Sequence, residues 1–234
     1  MSRLVSTVRL DLLQQYRYGI YYAAGFVTLL WIALLYSLPE AVEEFAVTFI
    51  VFTDLSAVGY VFIAGMVLFE KGEKTLFALL VTPLRFREYL ASKLATLTVL
   101  AVVMVLAVIT GGYGFGFNPA LLVLGVLFTS LISLLVGFIF VAPFDSISEY
   151  LIPGQLPTLV LVAPLVHFFG ILPSPIFYLI PTQGSLLLLG GAFGITQPSA
   201  WQFAYAVLYQ LFWVAGLALL ARRVFDRYIA AGRG

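Results

Sequence analysis

Six long apolar segments divide the chain, and none of them shows the apolar/polar alternation that marks a half-exposed strand. A helix needs about 20 mostly apolar residues to cross a bilayer, and these runs of Leu, Val, Ile and Phe reach that length. The pattern therefore predicts an all-α polytopic membrane protein rather than a transmembrane barrel. The predicted spans are Tyr21–Leu38, Val47–Phe69, Leu94–Gly114, Ala120–Ala142, Leu156–Leu172 and Ala200–Ala221.

The first 20 residues follow a different pattern, in which apolar residues such as Leu4, Val8 and Leu12 alternate with Arg9 and Arg17 at helical spacing. A helix with one apolar side and one cationic side suits the boundary between headgroups and acyl chains. Residues 1–20 are therefore predicted to form an interfacial helix. The pattern leaves open whether this helix is only a membrane anchor or also contacts a partner.

The composition agrees with a chain whose solvent is lipid. Apolar residues make up 62% of the 234 residues and charged residues only 10%, against about 45 to 50% and about 25% in soluble domains. The net charge of +1 argues against a nucleic-acid partner. The absence of cysteine removes disulfides and thiolate chemistry. We expect a single transmembrane domain over residues 1–234.

The positive charges indicate how this domain is oriented. All 12 Lys and Arg residues fall before the first span, between the second and third, or after the last. With six crossings these three segments lie on one side, and the positive-inside rule makes that side the cytoplasm. We therefore expect a multi-pass protein of the plasma (inner) membrane with both termini in the cytoplasm.

Residues 173–194 could hold an additional crossing by hydropathy alone. A seventh crossing would place the Arg-rich C-terminus outside, and Pro173, Pro175 and Pro181 interrupt regular helix. Broken backbone at membrane depth is tolerated where protein or a water-filled cavity satisfies its polar groups. The segment is therefore predicted to be a re-entrant hairpin on the outer face.

Residues 70–93 form a cytoplasmic loop with unusual polarity for this chain. Thr82 and Pro83 match an N-cap followed by the first helical position, so a short helix should begin there. Phe86, Tyr89 and Leu90 then form an apolar stripe at helical spacing. From these features alone, the loop is either a segment held at the lipid headgroups or a docking element for a soluble partner.

The same stretch carries a resemblance to a known family. The runs Glu70-Lys71-Gly72-Glu73-Lys74-Thr75-Leu76, Thr82-Pro83-Leu84 and Glu88-Tyr89-Leu90-Ala91-Ser92-Lys93 resemble the intracellular signature of type-2 ATP-binding-cassette (ABC) exporter permeases. Residues 69–93, together with Tyr178-Leu179-Ile180-Pro181-Thr182-Gln183-Gly184, are most similar to permeases described as fluoroquinolone exporters. The resemblance implies an exporter subunit whose coupling helix, after the second span, docks on a separate ATPase.

The resemblance also implies partners and contacts. The partners would be an ABC ATPase subunit, which would bind ATP and Mg, and a second permease copy, identical or not. The contacts expected in the loop are Glu70, Glu73 and Lys74 as polar groups and Leu76, Phe77 and Phe86 as apolar anchors. The cargo does not follow from the resemblance, because related permeases are associated with drugs, lipids, glycans and ions.

The chain itself carries no recognisable nucleotide site. A phosphate-binding loop needs the spacing G-x-x-x-x-G-K-[S/T], whereas Gly72-Glu73-Lys74-Thr75 separates Gly from Lys and position 67 is Val. We therefore expect no cofactor and no enzymatic activity in this chain. One His, no Cys and no paired acids within a span also argue against an intramembrane enzyme.

Few polar side chains are predicted to lie at membrane depth, and the candidates for a cargo pathway are Asp54, His167, Tyr209 and Gln210. A carboxylate in a span costs about 2.5 to 3.5 kcal/mol, so such residues usually face a cavity or a protein partner. Each candidate also has a structural interpretation. Asp54 could be held by neighbouring hydroxyls, His167 could be a packing histidine, and the face of the sixth span could be ordinary helix packing.

Two transport functions are consistent with these features. In the first, ATP binding by a partner drives a hydrophobic or amphipathic, possibly drug-like, cargo out of the cytoplasm. In the alternative, Asp54 and His167 titrate in an ion- or proton-coupled secondary transporter that needs no ATPase. The lack of a visible internal repeat favours the first.

Overall fold

A computed structural model describes residues 3–39, 42–76 and 85–230. Every regular element in these ranges is helical, and none is a strand. The α-helices are α1 (Arg3–Arg17), α2 (Ile20–Tyr36), α3 (Glu43–Thr53), α4 (Gly59–Gly72), α5 (Phe86–Gly112), α6 (Pro119–Val141), α7 (Ile147–Tyr150), α8 (Gln155–Val162), α9 (Pro164–Phe168), α10 (Thr182–Ala192) and α11 (Ala200–Phe225). A 3₁₀ helix covers Pro175–Leu179, and π-helical turns cover Asp54–Val58 and Asp226–Ala230.

The prediction of six crossings is met in part. Within the described residues, four helices are long and apolar enough to span a bilayer: Glu43–Gly72, Phe86–Gly112, Pro119–Val141 and Ala200–Tyr228. The pair Leu4–Arg17 and Ile20–Tyr36 makes a fifth only if the two count as one span, and they are bent by 64°. The bend occurs at Gly19, whose φ of 74° is a conformation that glycine adopts without steric cost.

The predicted fifth span, Leu156–Leu172, is not one long helix. Gln155–Phe168 is broken between α8 and α9, and its 14 residues extend only about 21 Å at 1.5 Å per residue. That is shorter than the hydrocarbon core of about 30 Å. Pro164 explains the break, because proline has no N–H to continue the helical hydrogen bonds.

The helix α6 forms the centre of the bundle. Inside the protein, 67% of its apolar stretch is buried, compared with 17% of that of α11, which leaves α11 at the periphery. Two glycines let the neighbours of α6 approach closely: Gly137 faces Ile63 and the Tyr60 carbonyl of α4, and Gly125 faces Leu189 of α10. Small residues at such contacts are typical of helix packing in membranes.

The orientation of α1 refines the prediction of an interfacial helix. Its polar residues Asp11 and Gln15 are buried against the bundle, whereas Leu13 and Tyr16 are 59% and 61% exposed. A surface helix of a water-soluble protein shows the opposite arrangement, with apolar residues buried and polar residues exposed. It fits a helix whose outer side meets lipid and whose inner side supplies polar contacts to α5.

We predict that Gly137→Ala destabilises the bundle. An added Cβ would lie 2.7 Å from Ile63 Cγ2 and 2.8 Å from the Tyr60 carbonyl oxygen, so helix α4 would have to shift. Overpacking of this kind costs about 1–3 kcal/mol. Thermal unfolding in detergent measures the effect, with Gly65→Ala on α4 as control, because nothing lies within 4 Å of the position of its Cβ. Equal midpoints for the two variants would contradict close packing at Gly137.

Candidate functional site

A cluster of charged side chains lies inside the end of the bundle where α4 ends and α5 begins, which we call the loop end. Lys93 of α5 is fully buried and forms ion pairs with Asp11 of α1 and Glu70 of α4. Its Nζ lies 2.9 Å from Asp11 Oδ1 and also donates to Glu70 Oε1. Three helices that are distant in sequence therefore meet at one ammonium group.

Each carboxylate oxygen of this buried cluster accepts a hydrogen bond. Besides the two bonds from Lys93, the Ser92 hydroxyl donates to Asp11 Oδ2 and the Tyr89 hydroxyl donates to Glu70 Oε2 at 2.7 Å. Satisfied hydrogen bonds are what make a buried ion pair tolerable, because desolvation costs several kcal/mol per ion.

Further polar contacts fix the last turn of α4, which leads into the loop. Lys71 Nζ donates to the carbonyl oxygens of Ala142 at 2.6 Å and Phe144 at 2.8 Å, just beyond the C-terminus of α6. An ammonium group is favourable there because the end of a helix carries partial negative charge. The end of α4 is thereby attached to the end of α6 as well as to α1 and α5.

Glu73 makes the outermost of these contacts. It forms an ion pair with Arg17 at 2.9 Å and accepts a hydrogen bond from the Tyr18 hydroxyl at 3.2 Å. Burial, together with the hydrogen bond to Glu73, raises the pKa of Tyr18 to about 12. The Tyr18 hydroxyl therefore stays protonated at neutral pH and remains a donor.

On the other side of the loop, Phe86 begins α5. The backbone N–H of Arg85 donates to Glu88 Oε2 at 2.9 Å, which caps the helix start. The Phe86 ring centroid lies 4.7 Å from that of Phe225 at the end of α11 and 6.2 Å from that of Phe138 on α6. Both ends of the loop are thus anchored in the bundle.

The predicted docking residues separate into three groups. Glu70 and Leu76 are 0% and 1% exposed, so they support the loop from inside and present no surface to a partner. Phe86 is half-buried and packs within the chain. Glu73 and Lys74 are exposed, whereas Phe77 lies outside the described residues.

Asp54 lies deep in the bundle, at the first position of the π-helical turn that joins α3 and α4. It is 5% exposed, and its Oδ1 accepts a hydrogen bond from Trp31 Nε1 of α2 at 3.1 Å. The partner is an indole from another helix, not the neighbouring hydroxyls that the sequence suggested. A crevice with room for about one water molecule, about 10 Å³, separates Asp54 from Leu97 and Met104 of α5.

His167 has a different setting. Its Nδ1 accepts the backbone N–H of Ser174 at 3.1 Å, and its ring stacks on Phe177 at 5.8 Å. These contacts tie α9 to the 3₁₀ helix that follows. His167 is not among the residues that line the Asp54 crevice, so the structure does not bring these two titratable groups into one pocket.

Tyr209 and Gln210 of α11 face the segment 175–192. The Tyr209 hydroxyl donates to the Leu179 carbonyl at 2.8 Å, and Tyr205 donates likewise to the Tyr178 carbonyl at 2.6 Å. Gln210 is fully buried and accepts a hydrogen bond from Ser185 of α10 at 2.9 Å. The two tyrosine hydroxyls satisfy backbone carbonyls where regular helix is broken, which a bilayer could not do.

The sequence alone did not identify Asp11 and Lys93 as functional candidates. Asp11 occupied the polar side of an amphipathic helix, and Lys93 was counted among the cytoplasmic cations. Their pairing joins positions 82 residues apart, which local patterns do not reveal. The available signal was a lysine directly followed by a predicted span, since an ammonium there needs a partner or a path to the headgroups.

Comparison with known proteins gives consistent results over the whole chain. The sequence profile of the fluoroquinolones export permease protein family matches residues 2–233. Two relatives, the fluoroquinolones export permease proteins of Mycobacterium tuberculosis strains CDC 1551 / Oshkosh and ATCC 25618 / H37Rv, are each 40% identical over 235 aligned residues. Each alignment covers 100% of this chain and 99% of the relative. No solved structure matches the chain.

We predict that Lys93→Met lowers the free energy of unfolding by about 3–5 kcal/mol, because it leaves two buried carboxylates without their ammonium partner. Adding Asp11→Asn and Glu70→Gln should recover most of the loss, since the cluster becomes neutral. Arg17→Met is the control, because the Arg17 side chain is 69% exposed and such pairs contribute about 0–1 kcal/mol. Denaturant unfolding in micelles measures all three. Similar losses for Lys93→Met and Arg17→Met would contradict the importance of the cluster.

Proposed function

Because the chain belongs to the fluoroquinolones export permease protein family, we propose that it is the membrane-spanning subunit of an ATP-driven ABC exporter. Its cargo would be a hydrophobic or amphipathic, drug-like molecule that leaves the cytoplasm. The observation that carries the proposal is the identity of 40% to named export permeases over the full length of the chain. The apolar helices long enough to span a bilayer support it.

The energy for export would come from a separate subunit. The chain has no phosphate-binding sequence, so we assign ATP and Mg to a partner ATPase. A second permease copy would complete the complex. Both termini and the loop end would face the cytoplasm, where the positive charges of the chain accumulate.

The loop end has features suited to transmitting force from such a partner. The exposed residues Glu73 and Lys74, with Phe77, would contact the ATPase. Close to Glu73 and Lys74 in the chain, Glu70 bonds to Lys93 of α5, which also bonds to α1 through Asp11. Lys71 bonds to carbonyls just beyond the end of α6. A push on the loop would therefore move several helices together rather than bend the loop alone.

The proposal predicts that export of a fluoroquinolone requires both this chain and an ABC ATPase. Cells that produce both should accumulate less drug than cells that produce either one alone. Replacing the phosphate-binding lysine of the ATPase should return accumulation to the level of cells without the chain, because that lysine holds the transferred phosphate. Efflux by the permease alone that stops when the proton gradient is collapsed would instead support the secondary transporter.

A second prediction concerns docking. We expect Phe77→Ala to weaken recovery of the ATPase by at least about 2 kcal/mol, or roughly 30-fold in affinity, because buried aromatic anchors carry most interface energy. Lys74→Ala should cost less than about 1 kcal/mol if Lys74 lies at the rim. Co-purification of properly inserted variants at graded ATPase concentrations measures both effects. Unchanged recovery with Phe77→Ala would contradict docking through Phe77.

A further inference from the structure

We propose that an apolar cavity within one copy of the chain binds the planar, uncharged aromatic ring system of the cargo. The cavity lies between α6, α8, the segment before α10, and α11. This inference rests on the proposed export function, because it assigns the ligand as cargo. Neither Asp54 nor His167 is among the residues that line this cavity.

The cavity has a volume of about 250 Å³, just below the range of about 300–1,000 Å³ for sites that hold whole small molecules, which suits a ring system rather than a complete cargo. Its lining residues are all uncharged, and they include Val136, Pro157, Leu161, Pro181, Trp213 and Leu217. Two prolines among them contribute no backbone N–H, which keeps the wall apolar. The lining residue Val160 is 57% exposed, and its neighbours Leu156 and Leu159 are each 63% exposed, so the cavity reaches an apolar outer surface of the chain.

The cavity exists because the helices around it are broken. Pro181 lies between the 3₁₀ helix and α10, and α8 and α9 meet at Ala163. The Thr182 hydroxyl donates to the Leu161 carbonyl at 2.7 Å across this gap. Discontinuous helices at membrane depth commonly line substrate sites in transporters, since their backbone must face protein or a cavity.

A series of aromatic rings connects this cavity to the end of the bundle opposite the loop end. We call Trp201, Tyr178, Tyr205, Tyr209 and Trp213 the aromatic ladder. Successive ring centroids along it are 6.0, 5.2, 5.2 and 6.3 Å apart. These distances fall in the range of about 4.5–7 Å that aromatic pairs prefer. The hydroxyls of Tyr205 and Tyr209 fix two of the rings by bonding to backbone carbonyls.

The chemistry of the cavity selects for an uncharged ring. A charged group would lose its hydration without meeting an opposite charge, whereas a flat π system gains ring contacts in addition to apolar burial. The indole N–H of Trp213 is buried and has no acceptor within the described residues. A ring that carries a neutral carbonyl would supply one. Quinolin-4-one, which has these features and no charge, is therefore a suitable probe.

The first test measures binding of quinolin-4-one to the full chain in lipid nanodiscs, with the saturated and uncharged bicyclic ketone 1-decalone for comparison. We expect the aromatic compound to bind at least about tenfold more tightly. Val136→Phe should fill the cavity and weaken quinolin-4-one binding by a similar factor. The matched control is Val123→Phe on the same helix, at a position that is 51% exposed and does not line the cavity. Equal binding by wild type and Val136→Phe would overturn the proposed site.

A second variant distinguishes an aromatic contact between the ligand and Trp213 from simple filling of the cavity. Trp213→Leu keeps an apolar side chain in the wall, so it should weaken quinolin-4-one several-fold more than the saturated compound. Equal effects on both would show a general apolar cavity, of the kind an acyl chain fills, and would overturn the aromatic assignment. Export assays distinguish failure of the proposed binding site from failure of the proposed function. If cells with the wild-type chain export no drug, the proposed function is contradicted. If Val136→Phe leaves export unchanged, the proposed site is contradicted.

Discussion

Side chains buried inside this bundle are shielded from water, so their polar groups must be satisfied largely by the chain itself. The buried cluster at the loop end follows from that constraint. Lys93 is fully buried, and two carboxylates reach it from different helices while Ser92 and Tyr89 saturate their remaining oxygens. Helix α1 consequently turns its polar side inward. Its apolar side is left for lipid, and it becomes part of the bundle rather than a detached anchor.

The same constraint explains the irregular half of the molecule. Between Gln155 and Ala192 the chain forms short helices separated by prolines. The hydroxyls of Tyr205, Tyr209 and Thr182 donate hydrogen bonds to three backbone carbonyls in this segment. Tyr205 and Tyr209 on α11 therefore stabilise this segment through their hydroxyls. Their rings, together with Trp213, also lie close enough to one another to form a continuous aromatic surface. The short helices of this segment do not pack as closely as continuous helices would. The space left beside them is the cavity lined by Trp213.

The sequence predicted most of the helices because each spanning helix has a local signal, a long apolar run. It also placed residues 173–194 outside the set of long helices, because Pro175 and Pro181 are local signals too. It did not predict which residues meet. Glu70 was predicted as a polar contact for the ATPase, which requires exposure, but an ion pair with a lysine 23 positions later accompanies its burial. The Trp31 partner of Asp54 was missed for the same reason, since a contact between helices has no local pattern.

The arrangement of α6 suggests how events at the loop end could reach the cavity. Lys71 of α4 donates hydrogen bonds to two carbonyls just beyond the end of α6, so the ends of the two helices can separate only by breaking those bonds. Val136, about one and a half turns before that end, forms part of the cavity wall. Packed helices move as rigid bodies rather than deform continuously. A displacement of α4 would therefore shift the α6 wall relative to α8 and α11, and would change the shape of the cavity without a direct contact between loop and ligand.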